Sequence, residues 1–145
     1  MKASLMKARR GIYAAAVSPF KADGSLDFDK SVAYSKHLLS DGGCDGVAPT
    51  GTTGEGTSVA MVDRLELPAA FAKAGIETDR VIFGTGAPAS GDCLALTKAA
   101  CDAGYTNVLV LPPYYYKNPS DDGLYAYFEQ LIAGVDHPDL KIYLY

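Results

Sequence analysis

Residues 51–55 read Gly-Thr-Thr-Gly-Glu. Two threonine hydroxyls between glycines, in a tight turn, set several backbone N–H groups side by side, and such a nest can hold a small anion without a cation. A plain glycine turn is the simpler reading of the same residues. No lysine follows the glycine as a P-loop requires. Gly84-Thr85-Gly86 lacks the further glycine of a dinucleotide fingerprint, because Ala89 stands three residues beyond Gly86. Tyr114, Tyr115 and Tyr116 follow Pro112-Pro113, and Tyr145 closes another apolar run. A tyrosine hydroxyl aligned with a second hydroxyl can shuttle protons. Three successive aromatics also suit an interface or a core wedge.

These residues need elements to carry them. Ile12 to Val17 is a short apolar run ending at Ser18-Pro19 and reads as a strand. Asp27 is placed to cap a helix with Phe28, Val32, Ser35 and Leu39 on one face, stopped by Gly42-Gly43. Asp45 to Ala48 is a second strand. Val62 to Ile76 has a helical pattern, with Leu65, Ala69, Ala72 and Ile76 expected inward and Pro68 expected to kink or restart it. Val81 to Thr85 is a third strand. Ser90 is expected to cap a helix running to about Ala103, and Asn107 to Leu111 is a fourth strand, buried on both faces. Ser120 precedes the clearest helix, with Leu124, Tyr127, Phe128, Leu131, Ile132 and Val135 on its stripe. Lys141 begins a fifth strand.

The five strands recur every 26–36 residues, which is a βα unit repeated four times plus one strand. The fold class is therefore α/β. An open doubly wound sheet and a (β/α)₈ barrel share this period, and ligands bind at the carboxyl ends of the strands in both. Those ends carry Ser18-Pro19, residues 49–55, residues 84–86, residues 112–116 and Tyr145. In a barrel the threonine turn and the tyrosines would point into one mouth.

Composition narrows the function classes. The 145 residues are 48% hydrophobic and 21% charged, with a net charge of −4. That balance suits a globular protein and gives nucleic acid no basic face. No apolar run approaches the roughly 20 residues of a membrane span. Residues 1–10 carry Lys2, Lys7, Arg9 and Arg10 with no apolar stretch after them, so they read as a basic tail rather than a secretory signal. Cys44, Cys93 and Cys101 form no C-x-x-C pair and are expected to be reduced core fillers in a cytoplasmic protein. His37 and His137 have no second ligand at metal spacing, so neither metal nor cofactor is expected.

Taken together, the motifs resemble one family. Gly-Thr-Thr-Gly-Glu at 51–55, Gly-Thr-Gly at 84–86, Pro-Pro-Tyr-Tyr at 112–115 and Tyr-Leu-Tyr at 143–145 stand in the order and spacing of the dihydrodipicolinate synthase / N-acetylneuraminate lyase family. The opening Ala15 to Phe20 and Asp27-Phe28-Asp29 fit as well. The resemblance covers residues 11–145 and implies a (β/α)₈ TIM barrel, of which this chain supplies about the first four βα units and the fifth strand. A complete barrel needs about 250 residues.

The resemblance also implies an activity: a pyruvate-dependent class I lyase or synthase, acting on carbon–carbon or carbon–oxygen bonds through a Schiff base. Dihydrodipicolinate synthase is the leading member, and a 2-keto-3-deoxy sugar-acid aldolase or dehydratase is the alternative. By position, Thr52, Tyr115 and Tyr145 are the implied catalytic relay. Gly51, Thr53 and Gly54 would bind the pyruvate carboxylate. The loop at Tyr116-Lys117-Asn118-Pro119 is one residue longer than usual, which leaves Tyr116 as a neighbouring candidate. The implied partners are pyruvate or another 2-keto acid, an aldehyde, and further copies of the chain in a dimer of dimers, with one relay tyrosine crossing between subunits. The Schiff-base lysine of the sixth strand would lie beyond Tyr145, so the 145 residues alone are expected to be inactive. Two further readings stay open: a non-catalytic half-barrel that self-associates through its unpaired edge, and an open-sheet anion-binding module.

Overall fold

The computed structural model describes residues 10–145; the expected basic tail lies outside the described residues except for Arg10. Four helices alternate with five short strands: β1 (Tyr13–Ala14), α1 (Phe28–Leu39), β2 (Gly46–Val47), α2 (Met61–Lys73), β3 (Phe83–Gly84), α3 (Ser90–Asp102), β4 (Asn107–Val110), α4 (Asp121–Val135) and β5 (Lys141–Leu144), with a 3₁₀ turn at Thr78–Arg80 before β3. β1 pairs with β2, and β3 with β4 and β4 with β5, all in parallel. A parallel bridge from Val47 to Val81 joins the two ladders, so the spatial order follows the chain order. Parallel strands need a crossover each time, and each crossover here is a helix.

The core lies between sheet and helices. Val47, Val81, Val108 and Val110 are fully buried from the strands, with Phe71, Cys93 and Ala100 from the helices. Phe83 stands edge-on to both Phe71 and Tyr105, with ring centroids 5.2 and 5.1 Å apart. Such pairs contribute about 0.5–1.5 kcal/mol each beyond their buried area. The Tyr105 hydroxyl donates to the Ile76 carbonyl at 2.8 Å, so its polar end is satisfied inside the core.

Local chemistry sets the element ends. Asp27 caps α1 through its carboxylate, which accepts from the Lys30 amide at 3.0 Å. The Ser120 hydroxyl accepts from the Gly123 amide at 3.1 Å at the start of α4. The Arg80 guanidinium donates to the carbonyls of Leu39, Cys44 and Asp45 and so ties the end of α1 to the entry of β2.

Several expectations are corrected. α2 runs unbroken through Pro68, without a restart, and its inward stripe is Arg64, Leu67, Pro68 and Phe71; Ala69 and Ala72 are exposed. The proline nitrogen has no hydrogen to offer the Arg64 carbonyl, but its ring is buried and adds to the packed face. Ser90 is the first residue of α3 rather than its cap; Ala89 holds that position and offers no side-chain bond. Ile132 of α4 is exposed despite its place on the expected stripe. Cys93 and Cys101 are buried and free as expected, whereas Cys44 is only partly covered.

Candidate functional site

The strands all point their carboxyl ends to one side, and the loop after β2 fills that side. Thr50 opens it with φ +56°. A β-branched residue rarely adopts this left-handed conformation, which costs about 1–3 kcal/mol and persists only where the surroundings enforce it. Here the Thr50 hydroxyl lies 2.7 Å from the Pro49 carbonyl and 3.0 Å from the Gly84 carbonyl. The Gly84 amide in turn donates to the Pro49 carbonyl at 2.9 Å. Backbone thus crowds backbone: a methyl group on Gly84 would meet the Thr50 carbonyl oxygen at 2.3 Å, and one on Gly56 would meet the same oxygen at 2.1 Å. Gly54 is wedged against the Ala16 carbonyl, and the Ser18 hydroxyl donates to the Gly54 carbonyl. Glycine is sterically required at these positions.

Within the turn, the Glu55 amide donates to the Thr52 carbonyl at 3.0 Å and the Gly56 amide to the Gly51 carbonyl at 3.1 Å. The amides of Thr52, Thr53 and Gly54 have no acceptor among the described residues, and neither do the hydroxyls of Thr52 and Thr53. These unspent donors are what an anion nest requires. Thr52 and Thr53 are exposed, and Gly51 and Gly54 are buried.

A cavity of about 200 Å³ opens beside the turn, lined among others by Gly51, Thr52, Thr57, Arg64, Leu111 and Tyr114. Arg64 is 9% exposed. Its Nη2 donates to the carbonyls of Gly84 and Gly86 at 3.0 Å each, while Nε has no partner. Burial lowers its pKa from the ordinary arginine value, and Tyr114, Cys93 and Asp92 act in the opposite direction. An arginine stays charged even so. No carboxylate among the described residues forms an ion pair with it, although Asp92 acts on it from a distance, so the cavity has an unpaired cation at its wall.

The tyrosines are distributed unevenly. Tyr114 lines the cavity. Tyr115 is 77% exposed and outside that lining, its ring edge-on to Tyr116 at 5.6 Å. Tyr145 is exposed at the end of β5; its amide donates to the Val110 carbonyl at 3.2 Å, which sets it at the rim beside Leu111. The structure therefore gathers Gly51, Thr52, Thr53 and Gly54 in one turn, puts Tyr145 on the same rim, and leaves Tyr115 turned to the outside of this chain. Thr50 and Arg64, which also line the cavity, were not among the expected site residues, whereas Tyr114 belonged to the expected tyrosine run but not to the implied relay. Arg64 had a findable signal, since it completes an i, i+3, i+4, i+7 stripe with Leu67, Pro68 and Phe71.

Behind the loop after β3, Thr97 Oγ1 lies 2.9 Å from Thr85 Oγ1 and 2.8 Å from the Cys93 carbonyl, and the Tyr127 hydroxyl donates to the Ala87 carbonyl at 3.2 Å. Burial pushes up both the Cys93 thiol and the Tyr127 hydroxyl, which keeps this layer neutral. Among the described residues no cluster of three or more His, Cys, Asp or Glu could hold a metal ion, and no helix is long and apolar enough to cross a membrane.

A half-ring of parallel strands with hydroxyls and unbonded amides at its carboxyl rim is the arrangement of part of a TIM barrel. Residues 8–145 match the dihydrodipicolinate synthetase family, and the chain belongs to it. It is 40% identical over 138 residues to an uncharacterized DapA-like lyase of Chloroflexus aurantiacus, covering 94% of this chain and 45% of that protein. It superposes on the crystal structure of dihydrodipicolinate synthase from Agrobacterium tumefaciens with a TM-score of 0.84 and 39% identity, covering 93% of this chain and 47% of that one. YagE of E. coli K12, a prophage protein of the dihydrodipicolinic acid synthase family solved in complex with pyruvate, gives a TM-score of 0.81 at 30% identity, covering 93% and 44%. The chain thus spans less than half the length of each of these relatives.

Proposed function

We propose that this chain provides the carboxylate cradle and the proton relay of a pyruvate-dependent class I lyase, of the dihydrodipicolinate synthase type. The observation that carries the reading is the turn at residues 50–56. It is strained at Thr50, glycine-locked on both flanks, and presents unbonded amides and hydroxyls at the carboxyl rim of a parallel sheet. A 2-keto acid matches such a site, because its carboxylate accepts hydrogen bonds from the Thr53 amide and hydroxyl and from the backbone of Gly51 and Gly54. The nearby Arg64 charge favours anions over neutral compounds. The YagE complex shows that a member of this family holds pyruvate.

The covalent step belongs to a lysine on the sixth strand of a full-length barrel. Its amine adds to the keto carbon, water leaves, and the resulting iminium accepts electrons as the adjacent carbon gives up a proton. Thr52, Tyr145 and Tyr115 of a neighbouring subunit would move that proton. Hydroxyls without fixed charge suit the task when they are in contact. The exposed Tyr114 to Tyr116 run fits both that role and a subunit contact, as expected for a dimer of dimers. The free cysteines fit a cytoplasmic enzyme.

Two measurements test this. An NMR titration of the 145-residue chain with pyruvate should move the amide resonances of Thr52, Thr53 and Gly54 first. A polypeptide of the relatives' full length, treated with pyruvate and borohydride, should gain the mass of a reduced adduct. Absence of both effects removes the lyase reading. Turnover with aspartate semialdehyde, rather than with 2-keto-3-deoxy sugar acids, then separates synthase from aldolase.

A further inference from the structure

We infer that Arg64 is the residue that holds the threonine turn in its strained shape, and so acts as a positioning residue for Thr52. The inference deepens the lyase reading and rests on it for its kinetic arm. Two bonds from one nitrogen, Nη2, grip the carbonyls of Gly84 and Gly86, which flank Thr85 at the end of β3. The Gly84 carbonyl is also the far acceptor of the Thr50 hydroxyl, at 3.0 Å. The same glycine packs directly under the Thr50 carbonyl. Fixing Gly84 therefore fixes both constraints on the left-handed Thr50, and Thr50 sets the direction in which Thr52 and Thr53 leave the sheet.

The placement is costly, which argues that the bonds matter. Arg64 is buried without a carboxylate partner and with Nε unbonded. A neutral donor could satisfy two carbonyls with less desolvation. Charge-assisted bonds are roughly twice as strong as neutral ones, and this grip opposes a backbone strain of comparable size. The opposite end of the restraint is equally anchored, since the Thr85 amide donates to the Leu109 carbonyl at 3.0 Å. Arg64 thus ties α2 to the rim of β3, and β3 to the turn after β2.

The variants are Arg64→Met, which keeps length and packing but removes every donor, and Arg64→Lys, which keeps donors without the planar fork. Hydrogen exchange of the 145-residue chain should accelerate at least about tenfold at the amides of Gly84 and Gly56 in Arg64→Met, and less in Arg64→Lys, with α3 and α4 unchanged. Uniform acceleration along the chain, or none, overturns the inference. In a full-length enzyme, Arg64→Met and Thr52→Val should each lower kcat more than they raise KM, and the double variant should be no slower than the worse single one. Multiplying effects would mean that Arg64 acts independently of Thr52, and the inference fails. Should the wild-type enzyme show no pyruvate chemistry, the lyase reading falls, and the exchange experiment still decides the role of Arg64.

Discussion

Gly84 has no room for a side chain. An added Cβ would sit 2.3 Å from the Thr50 carbonyl oxygen and 2.7 Å from the Gly51 nitrogen, both backbone atoms that cannot swing aside. Gly84→Ala is expected to cost about 1–3 kcal/mol in urea unfolding and to weaken anion binding at the turn. Gly91, in the first turn of α3, has nothing within 4 Å of its added Cβ. Gly91→Ala should stabilise the chain by about 0.5–1 kcal/mol, because alanine loses less backbone freedom on entering a helix. Equal costs for the two would mean the crowding at Gly84 is absent. The turn itself could be read in advance, since glycines and threonines after an apolar run announce both their geometry and their donors. Its reinforcement could not. Thr50 gives no local hint of a left-handed φ, and the buried Arg64 bonds to carbonyls 20 and 22 positions away.

At the scale of elements, α2 is the instructive helix. The expected face of Leu65, Ala69, Ala72 and Ile76 lies about one residue off the packed one: Ile76 is buried and Leu65 packs against the core, but Ala69 and Ala72 are exposed. The packed face contains Arg64 and Pro68, alongside Leu67 and Phe71. A long side chain can bury its stem and bring its charge to backbone acceptors, and a proline ring is good packing surface once its nitrogen is excused from bonding. Leu67→Ala should cost about 2–5 kcal/mol. Ala72→Gln should change stability by no more than about 0.5 kcal/mol. Chemical unfolding of the two variants checks the assignment, and a large loss at Ala72 would reverse it. The other helices were more legible: Asp27 and Ser120 cap as their side chains allow, and the α4 stripe differs only where Ile132 faces out.

At the scale of the whole molecule, the alternation of strands and helices was plain from the spacing of apolar runs, while the choice between barrel and open sheet was not, because both share that period. Buried titratable groups give the fold an alkaline limit. Burial raises the Cys101 thiol from 9.0 to about 11, with Asp102 adding to it, and raises the Tyr105 hydroxyl from 10.0 to about 12. Below about pH 9 both groups are protonated whether the chain is folded or not, and their neutral burial contributes fully. Above it the unfolded chain releases protons that the folded chain retains, so stability falls progressively from about pH 9 toward pH 12. Melting temperatures across that range should decline, and Cys101→Ala should flatten the earlier part of the decline; a curve unchanged by the substitution would remove the thiol from the account. The sheet also has a joint between its two ladders. Its two ladders meet through a single bridge, with backbone bonds from Ile82 to Val47 and from Gly84 to Pro49. The threonines stand on one side of this joint and Tyr114 and Tyr145 on the other. A small molecule gripped from both sides would work as a rivet across it, so that filling the mouth ties the two ladders to each other through the ligand as well as through the backbone.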